Sequence, residues 1–390
     1  MNMLYVNEGD KFCMFNSQTE VKFLSIYVEE NQGWFSATYF NALFCVDLLT
    51  GKTEYIGYFP KEEAINAYRN IVSYNQYLFF IPYYGSTLGI YDRNTKNIIA
   101  VAIPSDILNK LCNPKFAFAY VYCDCLYMYG ANSDIIVEYD IVLNTFRLID
   151  KFMGVNEIKG FRASYYLLVG GKIYTVINDF SAIIEISPEN LDFRILNTDN
   201  IKRNFYSVIE KNGKLWITDM VGELYEYDLA AESCHSYGLI DENEKGDDSL
   251  GLFWSTYEYN DKIYMVALLN HASYVFDTIS KTCQKNEKFK IEPHRKFKFR
   301  TNDAMPIWFL PMQCNGMLYF QWEADLTLRI LDLRNNQLKT LPVLIDKEHY
   351  CKALMKRKLE RDGLVVETED DCQLELYLDE LRIDFDSGME

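Results

Sequence analysis

The 390-residue sequence has no long apolar run and no framework of cysteines. No stretch of about 18 apolar residues is present to span a membrane, and the first residues lack the basic and apolar regions of a signal peptide. The ten cysteines are scattered, and the closest pair, Cys123 and Cys125, is spaced wrongly for a redox or zinc motif. We therefore expect free thiols in a reducing compartment, a cytoplasmic location and no membrane partner.

Catalytic signatures are missing as well. Only four histidines occur, without a His-x-x-x-His or Glu-x-x-His pair to hold a metal, and no Gly-x-Ser-x-Gly elbow is present. The segment Gly51-Lys52-Thr53 imitates the end of a phosphate-binding loop, but Val46 stands where that loop needs a glycine. The sequence therefore predicts no metal and no cofactor, and leaves any catalytic residue unknown. It favours a protein that is not an enzyme.

Negative charge outweighs positive charge, with a formal net charge of −17, and this balance argues against nucleic acid as a partner. Residues 360–390 hold twelve acidic and two basic side chains. In residues 285–303 basic side chains outnumber acidic ones, and lysine and arginine alternate with phenylalanine over residues 294–300. We interpret this basic insertion either as a strand with a solvated basic edge or as a docking site for an acidic partner, which includes the chain's own acidic tail.

What the sequence does contain is a repeated unit, in which an apolar residue and an aromatic residue are followed 12 or 13 residues later by one fixed position. The aromatic residues are Phe35, Phe79, Tyr127, Tyr174, Trp216, Tyr264 and Tyr319. The later positions are Asp47, Asp92, Asp140, Ser187, Asp228, Asp277 and Asp332. A period of roughly 40 to 55 residues indicates a repeat architecture.

Each unit reads as four short β-strands. Turns such as Asn212-Gly213 and Asn315-Gly316 stand before the aromatic residue and supply the positive φ angles of tight hairpins. The repeated Asp opens a polar turn in which its side chain can accept backbone N–H bonds two residues on. Seven such units predict an all-β fold, a seven-bladed β-propeller of four-stranded antiparallel blades, with the aromatic residues packed between neighbouring blades.

We assign residues 1–346 to a single β-propeller domain and residues 347–390 to a charged C-terminal extension, short and helical or irregular. Within the extension, Leu374, Tyr377, Leu378 and Leu381 recur at helical spacing. Residues 3–6 and 11–15 predict a hairpin, and one terminus is expected to help close the ring. The blades are expected near residues 22–60, 66–104, 116–150, 162–198, 204–239, 252–289 and 304–343.

Residues 22 to 343 resemble kelch-like propeller repeats. The resemblance lies in the aromatic residue of the second strand and in the Tyr-Asp pair that ends the third, as in Tyr91-Asp92 and Tyr227-Asp228. The diglycine after the second strand and the Trp of the fourth strand are missing in every unit, and Val46-Asp47 with Thr50-Gly51-Lys52 looks more like a quinoprotein-type repeat. The resemblance implies a seven-bladed scaffold, and such propellers are mostly binding scaffolds.

The mouth of the central channel is the expected position of any site, built from loops that join second to third strands and fourth to first strands. These loops carry aromatic residues next to amides and acids, a combination that suits peptide capture or sugar stacking. Packing on neighbouring blades and ordinary ion pairs are the alternatives for these side chains. The candidates are Tyr39, Phe40, Tyr83, Tyr84, Asn132, Asp179, Phe180, Asp219, His271, Trp322, Glu323, Arg69, Arg162 and Arg203.

The function predicted from these features is that of a non-enzymatic binding module, which presents an aromatic-rich propeller face to a protein, peptide or glycan. The alternative is a propeller enzyme acting on a sugar or lactone-like small molecule at the channel mouth. A purely structural role in a larger assembly is a third hypothesis. The sequence identifies neither the ligand nor the oligomeric state.

Overall fold

The computed structural model describes residues 18–346, apart from residues 39–40, 63, 65, 156–157, 159, 178–181, 197, 199–204, 220, 242–251, 268–271, 287–311 and 322–325. Seven four-stranded antiparallel sheets, each built from consecutive strands, form a ring. The predicted all-β, seven-bladed β-propeller is therefore confirmed. The predicted N-terminal hairpin, the C-terminal extension and nearly all of the basic insertion lie outside the described residues.

The blades are numbered 1 to 7 along the chain, and each begins with its innermost strand. Blades 1 to 4 consist of β2 (Tyr27–Glu29), β3 (Gln32–Ser36), β4 (Ala42–Asp47), β5 (Thr53–Tyr58); β6 (Tyr68–Tyr74), β7 (Tyr77–Pro82), β8 (Thr87–Asp92), β9 (Asn97–Ala102); β10 (Phe116–Tyr122), β11 (Cys125–Gly130), β12 (Ile136–Asp140), β13 (Thr145–Ile149); and β14 (Phe161–Val169), β15 (Lys172–Ile177), β16 (Ile183–Ile186), β17 (Phe193–Ile195). A single helical turn, α1 (Ser105–Leu108), lies between blades 2 and 3.

Blades 5 to 7 follow the same order. They consist of β18 (Phe205–Lys211), β19 (Lys214–Asp219), β20 (Glu223–Asp228), β21 (Ser233–Leu239); β22 (Phe253–Tyr259), β23 (Lys262–Ala267), β24 (Tyr274–Asp277), β25 (Thr282–Lys285); and β26 (Met312–Cys314), β27 (Met317–Gln321), β28 (Leu328–Asp332), β29 (Gln337–Leu341). Two further strands, β1 (Gln18–Glu20) and β30 (Leu344–Asp346), pair only with each other.

Apolar clusters between neighbouring blades form the core. Among the described residues there are seven such clusters, one at each junction between two blades. Six of the seven repeated aromatic residues are buried, and Tyr127 is half-buried. In blade 1 the strand pairing corrects which aromatic residue belongs to the repeat. Trp34 pairs with Cys45 just as Phe79 pairs with Ile90, so Trp34, and not Phe35, occupies the repeated position. Because side chains alternate along a strand, Trp34 faces blade 2, whereas Phe35 faces blade 7.

The repeated Asp residues cap the turns between third and fourth strands, as predicted. The Asp47 carboxylate accepts hydrogen bonds from the backbone N–H groups of Leu49 at 2.9 Å and Thr50 at 2.7 Å. These bonds, with that from the backbone of Thr50 as the strongest, hold the pKa of Asp47 below its usual value. The same pair of backbone bonds recurs at Asp92, Asp140, Asp228 and Asp277.

The ring closes at the seam between blades 7 and 1. Residues from both sides of this seam take part, whereas the sequence analysis expects only one terminus to do so. Strand β1 pairs antiparallel with β30, with Thr19 opposite Ile345. The fully buried side chain of Gln321 crosses the seam, because its Oε1 accepts from the Phe23 N–H at 2.8 Å and its Nε2 donates to the Val21 carbonyl at 2.6 Å.

Candidate ligand-binding mouth

Innermost strands begin at the channel mouth, where four of them carry a one-residue β-bulge and the innermost strand of blade 4 carries a longer irregularity. In each of these strands the pairing with the second strand shifts register just after its first residue. In blade 2, Tyr68 pairs with Pro82 and Asn70 with Ile81, which leaves Arg69 as the extra residue. A bulge re-aims a side chain and increases local twist. No feature of the sequence indicated these bulges.

Backbone hydrogen bonds link the mouth loops of blades 1, 2 and 3 to one another. The Asn66 N–H donates to the Thr38 carbonyl at 2.8 Å, which joins blade 1 to the connection that follows it. The Tyr83 carbonyl accepts from the Lys115 N–H at 2.8 Å, and the Lys115 carbonyl accepts from the Ala131 N–H at 2.9 Å. These loops are therefore held in register from blade to blade, which orients the side chains they carry.

Glu62 anchors the same region from inside. Its side chain is buried, and its Oε2 accepts from the backbone N–H groups of Ser86 at 2.7 Å and Thr87 at 3.0 Å, and from Thr87 Oγ1 at 2.9 Å. Its Oε1 accepts from the Ala64 N–H at 3.0 Å. Gly85 makes room for this carboxylate, since a Cβ atom there would lie 2.8 Å from Glu62 Oε2.

Asn41 fastens blade 1 to the same connection. Its fully buried side chain donates from Nδ2 to the carbonyl oxygens of Ala64 at 2.8 Å and Glu62 at 3.2 Å. Asn41 has φ of 52°, in the left-handed region that asparagine tolerates better than most residues. Glu62 and Asn41 were not among the predicted site residues, because the partners that join them to other loops lie more than twenty positions away.

Arg69, Tyr83 and Tyr84 form a layered group above this anchor. The Arg69 guanidinium is buried and its Cζ lies 4.7 Å from the centroid of the Tyr83 ring, a cation–π contact. The Tyr83 and Tyr84 rings meet edge to face with centroids 4.7 Å apart. The Tyr84 side chain is 40% exposed, and burial of the rest raises the pKa of its hydroxyl against the opposing effect of Arg69.

Lys115 and Asn132 border the group on the side of blade 3. The half-buried Lys115 directly precedes β10 and donates from Nζ to Asn113 Oδ1 at 2.9 Å. The exposed Asn132 donates from Nδ2 to the Asn113 carbonyl at 3.0 Å. We name Arg69, Tyr83, Tyr84 and Lys115 the mouth corner. The structure thus brings together Arg69, Tyr83 and Tyr84 of the predicted candidates, and adds Lys115, which the sequence did not single out.

Asp219 lies apart from the mouth corner and serves its own hairpin. The carboxylate is fully buried and accepts from the backbone N–H groups of Val221, Gly222 and Glu223 at 2.8 to 3.0 Å. Burial raises its pKa, and these hydrogen bonds oppose the rise. Arg162 lies in β14. The remaining candidates lie outside the described residues: Tyr39, Phe40, Asp179, Phe180, His271, Trp322, Glu323 and Arg203.

The described residues contain no group of three His, Cys, Asp or Glu side chains arranged to hold a metal ion. Nor does any helix in the described ranges have the length and apolar character needed to cross a membrane. What the mouth corner offers chemically is a partly exposed aromatic pair, with the Arg69 guanidinium against the Tyr83 ring and the Lys115 N–H bonded to the Tyr83 carbonyl. Such a surface suits stacking, cation–π contact and charge-assisted hydrogen bonds.

No protein-family model matches this sequence, and no curated protein matches it. Solved structures similar in fold include the computationally designed protein Ika8, with 10% identity and a TM-score of 0.52 over 82% of this chain and 86% of that chain. The extracellular domain of a one component system from B. thetaiotaomicron matches with 12% identity and a TM-score of 0.57, over 83% of this chain and 45% of that chain.

YCF48 bound to D1 peptide is a third similar structure, with 11% identity and a TM-score of 0.54 over 85% of this chain and 94% of that chain. At such low identity these similarities concern the fold alone. They agree with the strand order and the seven sheets, and the chain is accordingly a seven-bladed β-propeller.

Proposed function

We propose that this chain is a non-enzymatic binding module that captures a peptide segment of a partner protein at the mouth corner. The observation that carries the proposal is the partly exposed Tyr84 ring, packed on Tyr83 in a loop that backbone bonds join to both neighbouring connections. A rigid aromatic side chain loses little conformational entropy on binding, and such residues are frequent hot spots of interfaces.

The hydrogen bonds of the Glu62 and Asp219 carboxylates support a binding function over a catalytic one. A general acid or base needs a carboxyl group within hydrogen-bond reach of a substrate. The Glu62 carboxylate instead accepts from Ala64, Ser86 and Thr87, and the Asp219 carboxylate accepts from its own turn. Both groups therefore serve the loops that they anchor.

A peptide is favoured over a glycan by one comparison. YCF48, which shares this fold at 11% identity, is described as bound to a peptide. The assignment of the repeats as kelch-like and the cytoplasmic location belong to the same proposal. The location is supported by the cysteines within the described ranges, all seven of which carry free thiols.

The test is selection of random peptides on the full chain, followed by affinity measurement with a Tyr84→Ser variant. We expect the selected peptides to bind the variant at least about tenfold more weakly, the loss typical of an aromatic hot spot. Leu338→Ser is the matched control, since Leu338 is 39% exposed on the outermost strand of blade 7.

Equal affinity of the selected peptides for the wild type and for Tyr84→Ser would overturn the proposed site. A glycan array on the same two proteins separates the ligand classes. Binding of an oligosaccharide that depends on Tyr84, without binding of any peptide, would replace the peptide by a glycan.

A further inference from the structure

We propose that β9 (Asn97–Ala102), the outermost strand of blade 2, is the surface through which two copies of this chain associate. Each copy contributes its β9, and the two strands pair antiparallel about a two-fold axis. This interface lies on the outer rim of the ring, away from the mouth corner, and so goes beyond the proposed function. It is carried by the residue types of β9, by its unpaired edge and by the match of the strand to its own reverse.

Side chains distinguish β9 from the other outermost strands. Its residues carry no charge, and those from Ile98 to Ala102 are all apolar. Five of the other six outermost strands carry an exposed charged side chain, namely Glu54, Arg147, Arg194, Lys285 and Lys339. The sixth, β21, is uncharged, but its pairing with β20 shifts register. Charges and bulges keep sheet edges from pairing, and β9 has neither.

The outer edge of β9 presents unpaired backbone groups. The Ile103 N–H donates to the Ser86 carbonyl at 3.1 Å, and hydrogen-bonded pairs alternate along an antiparallel ladder, so the odd-numbered residues of β9 bond to β8. The N–H and C=O groups that point away from the sheet are therefore those of Ile98, Ala100 and Ala102. Nothing within the described ranges bonds to these groups. They are free to form a further strand pair.

The strand also matches its own reverse. A two-fold axis at Ala100 places this small residue beside its own copy, Ile98 beside Ala102 of the second copy, and Ile99 beside Val101 of the second copy. Larger side chains thus meet smaller ones, which suits cross-strand packing. Because a two-fold axis brings each residue near its own copy, a charge in the strand would approach the same charge. This is the reason that a charge-free strand favours a second copy as the occupant.

Residues at both ends of β9 limit the register. With the axis at Ala100, every outward N–H and C=O group of the strand finds a partner in the second copy. An axis at Ile98 would bring the exposed, charged Lys96 against an apolar residue. An axis at Ala102 would bring in Pro104, which has no N–H to donate. The register centred on Ala100 is therefore the one we expect.

Pairing in this way points the two channel mouths in opposite directions. Strand β9 begins after the turn capped by Asp92 and ends where Ile103 bonds to the mouth loop at Ser86. Antiparallel strands run in opposite senses, so the mouth of one copy lies on the same side as the repeated turns of the other. The dimer would present two binding sites that face apart, and it would join two partner molecules.

Sedimentation of the full chain at increasing concentration tests the association. A single strand pair is smaller than a standard interface, so we expect a dissociation constant on the order of 1 to 100 µM. The mass should rise from 45.8 kDa towards twice that value. A salt concentration of about 0.15 M screens the repulsion between two chains of net charge −17. A monomer at every concentration, well above this range included, would overturn the proposal.

Ile99→Lys is the decisive variant, because it adds a charge to the edge at a side chain that is 43% exposed. Ile195→Lys is its matched control, the same change at a 37% exposed residue in the outermost strand of blade 4. Since lysine at an edge opposes pairing, Ile99→Lys should raise the dissociation constant at least about tenfold, and Ile195→Lys should change it less than about twofold. Thermal unfolding checks that both variants fold. Equal effects on association would refute the role of β9.

Hydrogen exchange, resolved by residue on the wild type, locates the interface without a variant. The amides of Ile98, Ala100 and Ala102 should exchange quickly in dilute solution and slowly where the dimer forms. Those of Ile99 and Val101, which bond to β8, should exchange slowly in both. A dimer that leaves the three outward amides unprotected uses another surface and contradicts the proposal. Protection of these amides in the monomer would mean that another segment of this chain occupies the edge, which also contradicts it.

Discussion

The two faces of the propeller hold their loops in different ways. On the face away from the channel mouth, five of the six repeated Asp residues bond to backbone groups two and three residues along their own turns, as Asp47 does with Leu49 and Thr50. On the mouth face, Glu62 reaches residues 24 and 25 positions away, and Gln321 reaches residues 298 and 300 positions away.

This contrast separates a repeated scaffold from a variable surface. A turn that is stabilised by its own Asp can recur in almost every blade, whatever its neighbours are. The mouth loops of blades 1 to 3 are instead bonded to one another. The residues that make these bonds are not part of the repeated pattern. We therefore expect substitutions on the mouth face to cost more stability than substitutions in the repeated turns.

The largest effect is expected for Gln321→Leu. The change keeps most of the side-chain volume but removes the partners of the Phe23 N–H and of the Val21 and Leu326 carbonyls in a fully buried position. We expect a loss of about 3 kcal/mol in the free energy of unfolding, measured by urea titration. Gln284→Leu, at an exposed strand position, is the control, and an equal loss there would contradict a special role for the seam.

Glu62→Gln is expected to have the next largest effect. A neutral amide cannot accept all the donors that now surround the carboxylate, so about 2 kcal/mol of stability should be lost. Hydrogen exchange at the amides of Ser86 and Thr87 should speed up at the same time. The exposed Glu54→Gln serves as control. Unchanged exchange at both amides would show that Glu62 does not hold the loop.

A smaller effect is expected for Asp47→Ala, and it should depend on pH. The pKa of Asp47 lies below its usual value because of the bonds from Thr50, so the ionised carboxylate stabilises the folded state at pH values above the usual pKa of about 4. This stability is lost as the pH falls through the lowered pKa. Thermal unfolding of wild type and variant should therefore differ at pH 7 and converge in acid; a constant difference would refute the linkage.

The smallest effect is expected for Leu49→Ser in the same turn. Leu49 is 63% exposed and donates only its backbone N–H to Asp47, so the side chain contributes little. The free energy of unfolding should change by less than about 0.5 kcal/mol. A larger loss would mean that this turn depends on its apolar residue and that the contrast between the faces is weaker than proposed.

Much of the scaffold was predictable from the residues alone. The repeat, the four strands in each unit, the burial of the aromatic residues and the Asp turns were all confirmed. Each of these rests on a period or on chemistry within one turn. The assignment in blade 1 was shifted by one residue, from Trp34 to Phe35, because two aromatic residues stand next to each other and only the strand pairing shows which one faces blade 2.

The candidate site was predictable only in part. Tyr83 and Tyr84 were proposed from loop composition and Arg69 from its position near the start of a first strand, and the structure places them in contact. Lys115 gave no signal in the sequence, since a single lysine before a strand is ordinary. Its place depends on the bond from its N–H to Tyr83, which joins two blades.

By itself, the sequence determined that this protein is a seven-bladed propeller, because hairpin turns, strand alternation and Asp caps are encoded within each unit. Only the tertiary structure decided how the ring closes, through Gln321 and the pairing of β1 with β30, and which loop residues meet at the mouth. The physical reason is the separation along the chain between the residues that make these contacts. These contacts join residues far apart in the chain, and the bulge that aims Arg69 appears only when two strands pair.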